Sequence, residues 1–217
     1  MLNTITLNNV LPRVFEGREA VSSSDIWSTT VEFSRPDRYL IVAESGTGKS
    51  SLCSFLYGNR NDYLGQILFD GTDIRGFGVD DWCRLRCDTL ALLPQEMRVF
   101  PELTALENIM IKNRLTGFRS ETDIRRMLDR LEIADKTDVP AGLMSIGQQQ
   151  RVAIIRTVCQ PFSFLIVDEP VSHLDERNNA EVAALLSEAA DEQQAAIIST
   201  SVGNHLKLPV LTKSFSL

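Results

Sequence analysis

The segment 43–51, AESGTGKSS, combines glycines, a lysine and hydroxyl side chains in an order that can bind a polyphosphate. The apolar run 39–42 before it predicts a buried strand, and apolar residues up to Leu56 follow with helical spacing. A strand, a glycine-bearing turn and a helix direct successive backbone N–H groups and the helix N-terminus at one anion. Lys49 adds a positive charge for the terminal phosphates, and the Ser50 hydroxyl suits magnesium. The segment predicts a phosphate-binding loop, and the alternative is an ordinary glycine turn with an exposed lysine.

Two adjacent acids, Asp168 and Glu169, directly follow the apolar run 164–167. A strand buried on both faces ends at the carboxyl edge of a parallel sheet, where ligands of open α/β folds bind. Asp168 can hold magnesium directly or through water, and Glu169 can activate an attacking water as a general base. The alternative is a pair of strand-terminal acids that cap the next helix.

A second potential anion site lies in the segment 144–152, MSIGQQQRV. Gly147 opens a predicted helix, and Pro161 lies just past its end. The N-terminus of that helix and the Ser145 hydroxyl together can bind an anion. The residues alone do not explain why a chain with one phosphate loop carries this second site.

The composition limits what the two sites can belong to. The chain has 217 residues, enough for one domain with an inserted subdomain. Its 43% hydrophobic and 24% charged residues are typical of a soluble globular protein, and no apolar run approaches the roughly 18 residues of a membrane span. The N-terminus lacks the pattern of a signal peptide. A net charge of −7 argues against a nucleic-acid surface, and the scattered cysteines favour a reduced cytosolic setting.

The N-terminal part of the chain predicts a small antiparallel β layer. Apolar and polar residues alternate in the segments 2–10 and 27–33, and a short apolar run follows at 66–69. The polar segment 16–25 predicts a connecting loop. Antiparallel strands followed by a strand, a phosphate loop and a helix indicate an α/β fold in which this layer joins a parallel core sheet.

The rest of the chain predicts further core strands and a helical insertion. Strands are expected at 90–93, 162–167 and 195–199, and helices at 104–113, 120–131 and 178–190. Ser120 is the expected N-cap of the second helix. Helices dominate roughly 96–160, so we expect one domain over 1–217 with a helical subdomain inserted there. The short tail 201–217 is expected to leave no room for a further domain.

Five motifs together resemble the ATP-binding cassette of ABC transporters over nearly the whole chain. They are the phosphate loop, Pro94-Gln95, the Ser-x-Gly-Gln helix start at 145–148, FLIVDEP at 164–170, and Ser172-His173-Leu174-Asp175. The segment 92–110 is similar to cassettes of the lipoprotein-release, macrolide-export and cell-division type. The resemblance implies a P-loop NTPase core with a parallel sheet, an N-terminal antiparallel layer and an inserted helical subdomain.

The resemblance also implies ATP and Mg²⁺ as ligands, and it gives individual residues a role. Glu169 would be the general base, Gln95 would contact magnesium and the attacking water, and Asp168 and Ser50 would hold magnesium. The signature at 145–148 would bind the γ-phosphate of ATP held by a second cassette. The nucleotide-contacting residues would be Phe15, Ala43, Glu44, Ser45, Gly46, Thr47, Gly48, Lys49, Ser50, Ser51, Ser145, Gly147, Gln148 and Asp175. Phe15 would stack on adenine, and the alternative for Phe15 is an ordinary loop anchor.

Three positions depart from the family pattern. Ala43 replaces a glycine, which is tolerable only if the backbone there need not adopt a positive φ. Ile146 replaces the first signature glycine, and its β-branched side chain is expected to resist a positive φ and to crowd the facing nucleotide. Ser201, a candidate catalytic residue, follows the strand 195–199 where the family has a histidine. His205 could substitute if the loop is rearranged, and the alternative is a solvated loop histidine.

The resemblance implies an ATPase subunit that dimerises around nucleotide and couples this closure to a separate membrane permease. Such a subunit would be cytoplasmic and peripheral on the inner face of the membrane, with no nucleic-acid partner. One alternative is a nucleotide-sensing switch with little hydrolysis, which Ser201 and Ile146 favour and Glu169 opposes. Another is a cassette of DNA repair or translation, which usually has paired cassettes or a long coiled-coil insert, and neither is present.

Overall fold

The computed structural model describes residues 1–17, 23–171, 174–203 and 205–217. The predicted α/β architecture is confirmed, because these residues form one parallel sheet, one antiparallel sheet and helices. The strands are β1 (Thr4–Pro12), β2 (Thr30–Ser34), β3 (Arg38–Val42), β4 (Tyr63–Phe69), β5 (Thr72–Asp73), β6 (Leu90–Leu93), β7 (Phe164–Asp168), β8 (Ala196–Ser201) and β9 (Lys213–Ser216). The α-helices are α1 (Lys49–Leu56), α2 (Val79–Asp88), α3 (Ala105–Asn113), α4 (Glu121–Arg130), α5 (Ile146–Val158) and α6 (Glu176–Glu192).

The parallel sheet has the strand order β6-β7-β8-β3-β9. Every residue of β7 and β8 is buried, as expected for parallel strands covered on both faces. Asp168 lies opposite Thr200 in the ladder between β7 and β8, and Val42 lies opposite Ser201 between β3 and β8. The ends of three neighbouring strands therefore meet at one edge of the sheet, beside the start of the phosphate loop.

The two faces of the parallel sheet belong to different hydrophobic cores. One core joins Ile41 of β3 and Ile198 of β8 to the antiparallel sheet, whose order is β2-β1-β4-β5, and to Leu52 and Phe55 of α1. The other core joins the opposite face to helices α3, α4, α5 and α6. Full burial of one such aliphatic or aromatic side chain stabilises the fold by about 1.5–3 kcal/mol. Packing on both faces therefore fixes the strand edge at which the candidate site lies.

The helices predicted within residues 96–160 are present as α3, α4 and α5. The predicted N-cap of α4 is confirmed, because the Ser120 hydroxyl accepts a hydrogen bond from the Asp123 amide at 3.1 Å. Within the described part of the chain, no helix is long and apolar enough to cross a membrane.

Helix α2, strand β9 and the two-residue strand β5 were not predicted from the sequence. Helix α2 buries none of its side chains completely, so it lacks the apolar period by which a helix is found. Strand β9 lies in the tail and pairs with the edge of β3, with Phe215 as its buried residue. The predicted second strand began too early, since β2 starts at Thr30 and the buried Trp27 precedes it. Part of the predicted loop 16–25 lies outside the described residues.

Candidate functional site

The phosphate loop connects β3 to α1, and two of its glycines have backbone angles that other residues rarely adopt. Gly46 has a φ of +85°, and Gly48, the N-cap of α1, has a φ of +103°. A Cβ at Gly48 would lie 2.9 Å from Phe15 and 3.1 Å from Trp27, so the backbone passes closely against both rings. The exposed residues of the loop, which are free to meet a ligand, are Glu44, Ser45, Gly46 and Ser50.

Lys49 links the phosphate loop to the acids at the end of β7. It is only 5% exposed, and its Nζ donates hydrogen bonds to the carbonyl oxygens of Ala43 at 3.2 Å and Glu44 at 2.6 Å. The same Nζ lies 3.7 Å from Glu169 Oε1. A buried charge needs such partners. The ammonium group is thus held between the loop backbone and an acid, where it can meet a phosphate oxygen.

The two predicted acids have different surroundings. Asp168 is 4% exposed, and its Oδ1 accepts a hydrogen bond from the Thr200 hydroxyl at 2.6 Å. Glu169 has a φ of +49°, and its Oε2 accepts a hydrogen bond from Gln95 Nε2 at 3.3 Å. The structure therefore brings together Glu169, Gln95 and Lys49, which are distant in the sequence. These contacts favour the predicted site over the alternative in which the acids only cap the next helix.

The three residues predicted to hold magnesium line one cleft of about 180 Å³. Ser50, Gln95 and Asp168 offer a hydroxyl, an amide and a carboxylate oxygen, which are the donors that Mg²⁺ prefers. Among the described residues there is no cluster of three or more His, Cys, Asp or Glu side chains that could hold a metal alone. The donor set therefore fits a cation that completes its coordination with phosphate oxygens and water.

Two aromatic side chains border the phosphate loop. Phe15 is half-buried at the end of a short 3₁₀ turn and lies against Gly48. Trp27 is 2% exposed, and its indole Nε1 donates to the carbonyl oxygen of Thr47 at 3.0 Å. Sequence reasoning did not connect Trp27 with the loop, because no spacing signal relates residues 20 positions apart. Adenine stacking on Phe15 stays a prediction.

Two of the departures from the family pattern cause no backbone strain. Ala43 is buried and does not have a positive φ, so its Cβ meets the condition set from the sequence. The expected resistance of Ile146 to a positive φ is not put to the test, because Ile146 is the first residue of α5 and does not have a positive φ. Its side chain is 55% exposed. Crowding of a facing nucleotide by this side chain stays a prediction.

The predicted signature residues and Asp175 lie at exposed helix N-termini. Ser145 caps α5 by accepting from the Gln148 amide at 3.3 Å, while the Gln148 side chain accepts from the Ser145 amide at 3.0 Å. Asp175 caps α6, and the hydrogen bond from the Asn178 amide holds its pKa below the ordinary value. In the described part of the chain, the hydrogen bonds of Ser145, Gln148 and Asp175 stay within their own helices, and none reaches the phosphate loop. The structure thus leaves the signature separate from the first anion site.

Ser201 lies within a strand, whereas the sequence predicted that it follows one. The strand expected at 195–199 extends further, because Thr200 pairs with Asp168 and Ser201 pairs with Val42. Ser201 is therefore the last residue of β8 and is 1% exposed. Its carbonyl oxygen accepts a hydrogen bond from the Ala43 amide at 3.1 Å, which places it directly beside the phosphate loop.

His205 lies next to Ser201, with 2.9 Å between its Nδ1 and the serine Oγ. The buried Asn179 holds this loop, because its Nδ2 donates to the His205 carbonyl oxygen at 2.9 Å. The imidazole is thus half-buried and hydrogen-bonded to Ser201, and its role at a phosphate stays a prediction. Ser172 and His173 of the fifth motif lie outside the described residues.

Proteins similar to this chain include ATP-binding proteins of ABC transporters and of a lipoprotein-releasing system. The lipoprotein-releasing system ATP-binding protein LolD 1 of Chlorobium chlorochromatii is 30% identical over 91% of this chain and 82% of its own length. An uncharacterised ABC transporter ATP-binding protein of Mycobacterium tuberculosis is 28% identical over 92% of this chain. The chain spans 61% of the length of that second relative.

The fold is also found among solved structures. A dimeric bacterial ABC transporter cassette superposes with a TM-score of 0.73 and 24% identity, covering 90% of this chain and 87% of that one. The likeness identifies the fold as that of a P-loop ABC cassette. The family model named ABC transporter matches residues 28–172, from just before β2 to the segment that follows the acid pair. The chain belongs to the ABC transporter family.

Proposed function

We propose that this chain is the ATP-binding and ATP-hydrolysing subunit of an ABC transporter, formed as a single cassette over residues 1–217. The observation that carries the proposal is the set of contacts around Glu169. Its carboxylate lies 3.7 Å from Lys49 Nζ and accepts a hydrogen bond from Gln95 Nε2. A phosphate bound by Lys49 is therefore adjacent to the acid and the amide that would hold a water molecule.

Hydrolysis in this arrangement uses the contacts already present. Glu169 takes a proton from the water as the water oxygen bonds to the γ-phosphorus, and Gln95 orients that water. The bond between the γ-phosphorus and the bridging oxygen breaks, so ADP and phosphate leave. The backbone N–H groups of residues 44–51 and Lys49 bind the phosphate oxygens. Bound Mg²⁺ supplies positive charge to these oxygens.

The proposal places the adenine ring against Phe15. The position of Phe15 beside Gly48 supports this, because the adenine of a nucleotide whose phosphates lie in the loop has to lie to one side of the loop. The half-buried ring offers a face for stacking.

A second cassette completes the proposed site. Ser145, at the N-terminus of α5, is exposed. The neighbouring apolar side chains of Leu143 and Ile146 are 79% and 55% exposed. A second anion site with an apolar border fits the γ-phosphate of a nucleotide held by another subunit. The second cassette is either a copy of this chain or a related chain.

A membrane permease is the other proposed partner. The names of the similar proteins support an assembly of this type, in which the cassette is cytoplasmic and peripheral on the inner face of the membrane. The permease would select the transported substrate.

Sedimentation of Glu169→Gln with and without Mg-ATP tests the assembly. The glutamine keeps the shape of the side chain but cannot take the proton, so the ATP-bound dimer should persist. A wild-type chain with the same nucleotide should dimerise less, since hydrolysis opens its dimer. If neither chain dimerises with Mg-ATP, alone or with the cassette that copurifies with its permease, the proposal of a shared site is wrong.

A second candidate function is a nucleotide-sensing switch that binds ATP and hydrolyses it slowly. The observation that favours it is the buried Ser201, whose hydroxyl already has His205 as a partner. A turnover assay beside an ATP-binding assay separates the two functions. Tight binding with negligible turnover, also in the presence of the permease, would favour the switch.

A further inference from the structure

Thr200, the penultimate residue of β8, contacts both acids of the candidate site. Its side chain is fully buried. Its hydroxyl donates a hydrogen bond to Asp168 Oδ1 at 2.6 Å and accepts one from the Glu169 backbone amide at 3.2 Å. One hydroxyl group therefore donates to the last residue of β7 and accepts from the residue that follows it.

The second of these hydrogen bonds fixes an unusual backbone conformation. Glu169 has a φ of +49°, and a residue other than glycine stays in this left-handed region only when its surroundings hold it there. The turn of the chain at this point directs the Glu169 carboxylate to Gln95 and Lys49. The amide that Thr200 binds belongs to the residue whose φ is positive, so the hydroxyl acts at the point of strain.

The first hydrogen bond orients the Asp168 carboxylate. Asp168 is buried and lies in the cleft with Ser50, so the direction of its oxygens decides which of them faces a bound cation. The Cys53 thiol also lies beside Thr200 and Asp168, and burial raises its pKa well above the ordinary value.

We propose that Thr200 is a positioning residue, which holds the Asp168 carboxylate and the Glu169 backbone in the geometry that the reaction uses. This inference rests on the proposed function of the two acids. Thr200 itself need not touch nucleotide or water. Partners that orient a site residue commonly affect activity or metal affinity by about 10–100-fold.

Three variants test the role. Thr200→Val removes the hydroxyl and keeps nearly the same shape, while Thr200→Ser keeps the hydroxyl. Ser199→Ala is the matched control, since it removes a hydroxyl from the adjacent residue of β8, and in the described part of the chain the buried Ser199 Oγ has no hydrogen-bond partner. Thermal unfolding establishes that each variant is folded at the assay temperature.

We expect Thr200→Val to lower kcat for ATP about 10–100-fold, with little change in the Kd for Mg-ATP, because the phosphate loop is untouched. Thr200→Ser should restore most of kcat, and Ser199→Ala should resemble the wild type. A Thr200→Val chain with wild-type kcat overturns the proposal. So does an equal loss of kcat in Ser199→Ala, which would indicate a general effect of β8.

A measurement without turnover separates this inference from the proposed function. Hydrogen exchange at the Glu169 amide, followed by NMR, should be faster in Thr200→Val than in the wild type and in Thr200→Ser. A wild-type chain that binds no Mg-ATP or does not hydrolyse it contradicts the proposed function, and the exchange rates then decide the positioning role alone. Equal exchange in all three chains overturns it.

Discussion

Gly48→Ala should destabilise the chain much more than the same change at Gly46, although both glycines have a positive φ. An alanine in the left-handed region costs about 1–2 kcal/mol, and this cost applies at both positions. At Gly46 the added Cβ meets nothing within 4 Å. At Gly48 it meets Phe15 at 2.9 Å and Trp27 at 3.1 Å, so overpacking adds about 1–3 kcal/mol.

The ring of Trp27 cannot easily move away from the new methyl group. It is 2% exposed, and its Nε1 is hydrogen-bonded to the Thr47 carbonyl oxygen. We therefore expect the free energy of unfolding to fall by about 2–5 kcal/mol for Gly48→Ala and about 1–2 kcal/mol for Gly46→Ala. Urea titrations of the two variants and the wild type, monitored by circular dichroism, measure both values. Equal losses, or a larger loss at Gly46, would refute the close packing of the two rings on the loop.

Two further predictions concern the end of β8 and the pH dependence of folding. A serine hydroxyl is shorter than an imidazole, so Ser201→His should raise ATP turnover by about 10²–10³ with near-normal ATP affinity. The change is combined with His205→Ala, because the side chains at 201 and 205 lie 2.9 Å apart. His205→Ala alone is the control, and a loss of all turnover in it would mean that His205 already acts in place of the family histidine. Burial raises the pKa of Tyr39 to about 12 from 10, so the folded chain keeps a proton that the unfolded chain releases. Stability should fall between pH 10 and about 12, and urea titrations should find a smaller fall in Tyr39→Phe.

The sequence predicted the parts of the site that depend on local patterns. The strand, the phosphate loop and α1 follow one another, and Asp168 and Glu169 directly follow an apolar run. Three neighbouring parallel strands then had to end at one edge of the sheet, which brought Glu169 near Lys49. Local periodicity and parallel-sheet topology are sufficient for this much.

The contacts that refine the site have no local signal. Thr200 is 31 residues from Glu169, and its hydroxyl reaches it only because β7 and β8 are neighbours in that register. The pair of Ser201 and His205 depends on a loop that Asn179 of another helix holds. Such interactions are set by tertiary packing. The end of β8 was also predicted too early, because the pairing of β8 with β3 continues to Ser201, beyond the apolar run of the sequence.

The binding of Mg-ATP at the phosphate loop is the central claim, and calorimetry with Lys49→Met tests it most directly. Methionine retains an apolar stem in a position that is 5% exposed, but it removes the charge that meets the phosphates. Lys213→Ala, which removes an exposed lysine from β9, is the matched control. We expect Mg-ATP to bind to the wild type and to Lys213→Ala, and no detectable binding to a folded Lys49→Met. Unchanged affinity in Lys49→Met, or no binding to the wild type, would contradict it.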